Sequence, residues 1–184
     1  MIRKTFFFVT IFFLFSTVAV AGNFLLTSPT IKNGSFLTEE QVFQGFGCTG
    51  KNQSPALNWT GSPEGTKSYA ITVYDPDAPT GSGWWHWVVY NIPSDVSGLA
   101  AGAGDQVGKL LPPAAVQGRT DFGIHAFGGA CPPKGDKPHR YVFTVYALSI
   151  EKIDVPVDSS AALIGFMINA NSLGKASFTA RYGR

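Results

Sequence analysis

Three runs of β-branched and aromatic residues stand out along the chain, over 69–74, 87–92 and 141–150, each bounded by Pro, Gly or Asp. Runs of that length and make-up predict strands. A weaker run over 176–182 predicts a fourth. Residues 84–90 contain Trp84, Trp85, Trp87, Val88, Val89 and Tyr90 with only His86 as a polar interruption. Near-continuous apolar character predicts a strand covered on both faces, hence a central one. Helical periodicity is scarce. Residues 38–43 predict a turn or two, and 158–171 predict a helix capped by Asp158 or Ser159, with Ile164, Met167 and Ile168 on one core-facing stripe.

Composition supports a β reading. The 184 residues are 45% hydrophobic and 14% charged, with 21 Gly and 12 Pro. A chain so poor in charge is neither disordered nor a coiled coil, and so much punctuation favours short strands joined by shaped turns. No repeat or linker divides it. The prediction is one mainly β domain over residues 22–184, a length that suits a single core.

Residues 1–21 read as a leader. Arg3 and Lys4 precede an apolar run from Phe6 to Val20, and Ala19-Val20-Ala21 offers the small residues of a cleavage site after Ala21. The run falls short of the ~20 apolar residues a membrane span needs, so no stable membrane anchor is predicted. Export follows, and the periplasm is the compartment that the resemblance to a bacterial family described below implies. Removing the leader also removes Arg3 and Lys4, leaving basic residues in balance with the 12 acidic ones. A neutral surface without an aromatic-interleaved basic patch predicts no nucleic-acid partner.

Cys48 and Cys131 are too far apart for a CxxC motif. In an oxidising compartment they read most simply as one disulfide, which over so long a loop would stabilise the fold by roughly 4 kcal/mol. Two unrelated buried thiols are the alternative. A zinc site from His86, His139 and the cysteines lacks local ligand spacing, so no metal and no cofactor is expected.

Candidate chemistry gathers around two long loops, 93–118 and 119–138. Just before them, Asp75-Pro76-Asp77-Ala78-Pro79 follows a predicted strand, and prolines on both sides of Asp77 stiffen the turn. The carboxylates either present an acid or bond the turn's own N–H groups. His86 lies where a hairpin could return it to that turn, and His139 precedes another strand of the same make-up. Pairing those strands would set Asp75, His86 and His139 around one pocket. Gly128 and Gly129, followed by Cys131-Pro132-Pro133, form a loop whose bare amides could cradle an anion. Arg119 and Arg140 either join that anion site or pair with a carboxylate. No GxSxG, HExxH, EF-hand loop or GxGxxG is present, and no activated nucleophile is evident.

Five stretches taken in order resemble the phosphatidylethanolamine-binding protein family, also called Raf kinase inhibitor protein-like, in its bacterial, exported branch. They are Ser54-Pro55-Ala56-Leu57-Asn58-Trp59, Asp75-Pro76-Asp77-Ala78-Pro79, Gly83-Trp84-Trp85-His86-Trp87-Val88-Val89, Gly118-Arg119-Thr120-Asp121-Phe122-Gly123, and Pro132-Pro133-Lys134-Gly135 through Pro138-His139-Arg140-Tyr141-Val142-Phe143. Together they span residues 54–143.

The resemblance implies a large antiparallel sheet packed with a smaller one, short peripheral helices, and a cis bond between Ala78 and Pro79. It implies a small pocket for phosphate or a phosphorylated head group, with Asp75, Pro79, Trp84, His86, Gly129, Pro133, His139 and Tyr141 as ligand-binding residues and Asp77 bracing the turn. Imidazole N–H groups, the Tyr141 hydroxyl and amides near Gly129 would donate to the anion, and Asp75 would raise the histidine pKa values. Anion binding should then weaken as pH rises through the histidine range. The departures are Cys131, where better-known relatives carry glycine, and Asn171, where a histidine is frequent. The expected function is capture of a phosphorylated small molecule or lipid head group, with no catalytic residues. Alternatives are regulation by contact with a partner protein, in the manner of a kinase or protease inhibitor, and a weak hydrolase built on Asp75, His86 and His139; a homodimer is a separate candidate assembly.

Overall fold

The computed structural model of the chain describes residues 23–184, and the leader expected over 1–21 lies outside the described residues. Strand β1 (Leu25–Thr27) is followed by a 3-10 turn over Glu39–Gln41, inside the segment that predicts a helical turn. A short hairpin then joins β2 (Gln44–Gly45) to β3 (Cys48–Thr49). The main strands come next: β4 (Leu57–Thr60), β5 (Ser68–Asp75) and β6 (Trp84–Pro93). Two-residue strands β7 (Gly98–Leu99) and β8 (Val116–Gln117) lead to β9 (His139–Leu148), helix α1 (Ala161–Ala170) and β10 (Ser172–Tyr182).

A five-stranded antiparallel sheet, ordered β10-β9-β5-β6-β8, forms the body of the fold, with a three-stranded sheet β1-β4-β7 beside it. The mainly β architecture predicted above is therefore the observed one. One face of the large sheet contributes Ile71, Val73, Trp87, Val89, Phe143 and Phe178 to a core shared with Leu57 and Trp59 of the smaller sheet. The other face packs Ala70, Val88, Tyr90 and Leu148 against Ile164 and Ile168 of α1. Two covered faces explain the unbroken apolar run in β6, because both sets of alternating side chains must be dehydrated. β10 is longer than its sequence predicts. As an edge strand it buries only Ala176, Phe178 and Ala180 on one face and leaves Lys175, Ser177 and Arg181 outward, so its apolar signal is diluted.

The helix is shorter than predicted and is capped by Ser160, whose Oγ accepts the Leu163 N–H, in place of Asp158 or Ser159. A turn closed by the Ser159 N–H on the Pro156 carbonyl delays its start. Met167 is half-buried at the margin of the stripe formed by Ala161, Ile164 and Ile168. Among the described residues no helix is long and apolar enough to cross a membrane.

Cys48 and Cys131 are bridged across 83 residues with Cα atoms 6.0 Å apart. The bond ties the β2–β3 hairpin to the glycine-rich loop.

Candidate functional site

The polar residues predicted to converge do so at one end of the large sheet. Asp75 ends β5, the central strand, with β6 on one side and β9 on the other. Strand periodicity puts Asp75 on the face of Ile71 and Val73, and His139 and Tyr141 of β9 on the same face as Phe143. His86 needs a further device. Regular alternation would send it to the helix-covered face with Val88 and Tyr90. Instead the register steps from Val73 opposite Trp87 to Tyr74 opposite Trp85, so His86 is an extra, unpaired residue in a β-bulge. The bulge turns Trp84 and His86 toward Tyr141, and the His86 and Tyr141 rings meet edge to face at 5.0 Å.

These side chains wall a cavity of about 220 Å³. Seven of the eight residues that the resemblance implies line it: Asp75, Pro79, Trp84, His86, Pro133, His139 and Tyr141. Gly129 does not. Its N–H donates to Asn52 Oδ1, the neighbouring Gly128 and Ala130 amides donate to the carbonyls of His86 and Gln41, and a side chain at 129 would strike the Gln41 carbonyl. Gly129 lets the loop press against residues 41–43 and Gly128 lets the Phe122 ring lie on it, and the amides are consumed in that packing.

Phe46 and Phe122 add to the wall, with Ala78, Thr80, Cys131 and Pro132, and neither phenylalanine is singled out by the sequence. Phe122 stacks on Phe43 at 4.4 Å and meets the rings of Trp84 and His86 edge-on. Phe46 is 70% exposed at the tip of the β2–β3 hairpin. A signal for it existed: a bridge from Cys48 to Cys131 obliges the residues beside Cys48 to lie against the Pro132-Pro133 loop. Arg184 adds a second clamp, donating from Nε to the Pro132 carbonyl and from Nη1 to that of Gly47.

Asp75 is 3% exposed and both of its oxygens accept hydrogen bonds. Oδ1 accepts the Asp77 and Ala78 N–H groups, and Oδ2 accepts His139 Nδ1–H at 2.7 Å. Both readings of the turn are thus realised in one carboxylate, which closes the turn and orients an imidazole. Among the described residues no peptide bond is cis, so the Ala78–Pro79 bond is trans, contrary to the expectation from the resemblance. Asp77 braces the turn from outside through a bidentate pair with Arg140, which removes Arg140 from the anion candidates. That guanidinium holds the Asp77 carboxyl down at about 2. Arg119 is exposed and does not line the cavity. His125, outside the cavity, contacts the Gln117 carbonyl and Asp158. Asn171 caps the end of α1, bonding the Met167 carbonyl.

His86 titrates below the ordinary histidine value because burial penalises its charge, and the opposing pull of the Gly128 carbonyl and Asp75 is weaker. Asp75 pulls it upward, as the resemblance implies, but burial outweighs that pull and the net direction is down. Burial, followed by the charge of Asp75, pushes the Tyr141 phenol far up, so it remains a neutral donor. Its hydroxyl and the Trp84 indole N–H are both buried without a hydrogen-bond partner among the described residues. Leaving a buried donor unmade costs about 1–3 kcal/mol, so two on one cavity wall point to an acceptor that comes from outside the chain.

The sequence profile of the phosphatidylethanolamine-binding proteins matches residues 27–183. The chain belongs to the phosphatidylethanolamine-binding protein family. Within that family it is 60% identical to YbcL of Escherichia coli, over 89% of this chain and 90% of that one, and 50% identical to YbhB of the same organism, over 85% and 98%. The crystal structure of E. coli YbcL superposes with a TM-score of 0.86, covering 88% of this chain and 98% of that one. A phosphatidylethanolamine-binding protein homologue from Chlamydia trachomatis, 28% identical, superposes at 0.72 over 88% and 97%. In this family member the five motifs have distinct tasks. The second, third and fifth supply the pocket side chains, the fourth supplies Phe122, and the first builds β4 of the smaller sheet.

Proposed function

We propose that this protein is an exported, periplasmic binder that holds a phosphate or a phosphorylated head group in the cavity at the end of its large sheet. The observation that carries the reading is the pair of buried, unpartnered donors on its wall, Tyr141 Oη–H and Trp84 Nε1–H. Neutral donors in a small apolar enclosure suit a singly charged anion, because no Lys or Arg lines the cavity to balance more charge. The Cys48–Cys131 bridge supports export, since such bonds persist in oxidising compartments. Binding is favoured over turnover because the sequence offers no GxSxG, HExxH or other evident nucleophile or metal motif.

A second reading, contact with a partner protein, is favoured by Phe46, a large apolar side chain exposed at the mouth of the cavity. Calorimetric titration of the purified mature protein with inorganic phosphate tests the first reading. Saturable one-site binding, weakened roughly tenfold in Tyr141→Phe, is expected. No heat in the native protein, or equal affinity in the variant, rejects it.

A further inference from the structure

Two lips border the cavity: the β2–β3 hairpin, which carries Phe46, and the loop that carries Pro132 and Pro133. The two-residue turn of the hairpin, Phe46-Gly47, has positive φ at both positions, 52° and 79°. Such a turn ordinarily takes Asn, Asp or Gly first, because a bulky side chain strains the left-handed backbone. Phe46 stands there nonetheless, 70% exposed and yet part of the cavity wall. Strained positions persist only where their surroundings hold them, and they gather at ligand clamps and switches. The main chain supplies no such hold. Among the described residues, 44–49 make no backbone–backbone hydrogen bond outside the hairpin. The disulfide pins one arm at Cys48. The tip is left to two side-chain devices. The Phe46 ring rests on Phe43 at 5.5 Å and on Phe122 at 5.9 Å. Arg184 donates from Nη1 to the Gly47 carbonyl at 2.9 Å and from Nη2 to that of Phe46 at 3.4 Å. On the opposite lip the same guanidinium donates from Nε to the Pro132 carbonyl at 2.7 Å, and the Arg184 carbonyl accepts the Gly135 N–H. One residue thus joins both lips. Its planar fork meets three carbonyls in fixed directions, which a lysine ammonium does not reproduce.

Resting on the anion-binding reading above, we infer that residues 44–49 form a flap over the ligand cavity and that Arg184 is the positioning residue that latches it, through the Phe46 and Gly47 carbonyls. Arg184 does not line the cavity and acts through Phe46. Gly45 and Gly47 flank Phe46, so the tip turns while the Cys48–Cys131 bond stays intact. Because the latch closes over the empty and the filled cavity alike, it governs how fast a ligand enters and leaves more than how tightly it is held.

The test is hydrogen–deuterium exchange of the tryptophan indoles, read by nitrogen-15 correlation spectra of the ligand-free mature protein, together with stopped-flow kinetics of inorganic phosphate binding. The Trp84 indole N–H, buried on the cavity wall, reports opening of the flap, and that of Trp59, buried in the core away from the cavity, reports general loosening. In Arg184→Ala, Trp84 should exchange about tenfold faster, the scale of one hydrogen bond to a charged group, with Trp59 unchanged. Phosphate should associate and dissociate faster by a similar factor, with affinity close to native. Arg184→Lys keeps the charge and loses the fork, and should behave like Arg184→Ala. Unchanged Trp84 exchange or unchanged phosphate rates in Arg184→Ala, or native behaviour in Arg184→Lys, overturns the latch and leaves the anion pocket standing. Equal acceleration of Trp59 means general loosening and overturns it as well. Faster Trp84 exchange in the variants of a protein that binds no phosphate in its native form upholds the latch and overturns the anion reading.

Discussion

The two ends of the large sheet each carry a cavity, and the larger one is the less informative. At the end opposite the site, a cleft of about 590 Å³ is lined by Thr66, Lys67, Asn91, Asp95, Glu151 and Lys152 among others. Its charged groups are exposed to water, and its one buried polar side chain, Asn91, exchanges both of its amide bonds with the backbone of Ile153. Nothing there is left wanting a partner. The 220 Å³ cavity at the site end is walled by Trp84 and Tyr141, whose indole N–H and hydroxyl have no partner among the described residues. Unmet hydrogen-bonding capacity in a dehydrated place separates the two, because only there does a ligand gain what water cannot supply.

Perturbing each end should sharpen that contrast. Replacing both cysteines by serine releases the hairpin from the pocket loop and should lower unfolding free energy by about 4 kcal/mol in a urea titration. A loss below about 1 kcal/mol would mean that Arg184 and the Phe43, Phe46 and Phe122 stack hold that end without the bridge. Asp75→Ala strands the Asp77 and Ala78 amides and His139 Nδ1–H, and should cost about 3 kcal/mol as well as phosphate binding. Full stability in that variant would show that the turn does not depend on its carboxylate.

The Asp77–Arg140 pair should matter less, within about 1 kcal/mol, because it lies at the surface. The unfolded chain protonates this carboxyl near its ordinary value of 3.8, whereas the folded chain resists until about 2. The pair's contribution is therefore present above that ordinary value and lost as pH falls through the interval. In Arg140→Ala the acid-unfolding profile should lose this component, and an unchanged profile would show that the pair contributes nothing. The smallest effect is expected at the other end. Lys152→Ala should leave phosphate affinity unchanged and stability within about 0.5 kcal/mol. A weakened phosphate isotherm would put the anion site in the wrong cavity.

How much of this could be read in the sequence follows from which interactions are local. β5, β6 and β9 were legible because both of their faces are buried and β-branched and aromatic residues fill them. β10 was half-hidden, since an edge strand with one dry face needs few apolar residues. The pocket set of Asp75, Trp84, His86, His139 and Tyr141 followed from motifs, but the reason His86 faces the pocket did not. A bulge depends on how two strands register, and no residue in 84–87 announces it. Gly129 misled for a related reason: its lack of a side chain serves close approach to the Gln41 backbone, which in sequence looks the same as a cradle for an anion. The Ala78–Pro79 bond was assigned from resemblance alone, and the trans form is found.

The central claim is that Trp84 and Tyr141 keep donors unpaired for an incoming anion. Trp59 provides an internal control, because its indole N–H is also buried without a partner but lies in the hydrocarbon core away from the cavity. The most direct measurement is a nitrogen-15 correlation spectrum of the four tryptophan indoles during titration with inorganic phosphate. The account predicts a saturable downfield shift of the Trp84 indole proton with the Trp59 resonance unmoved. A stationary Trp84 signal at phosphate concentrations that saturate other probes, or equal movement of both indoles, would contradict it.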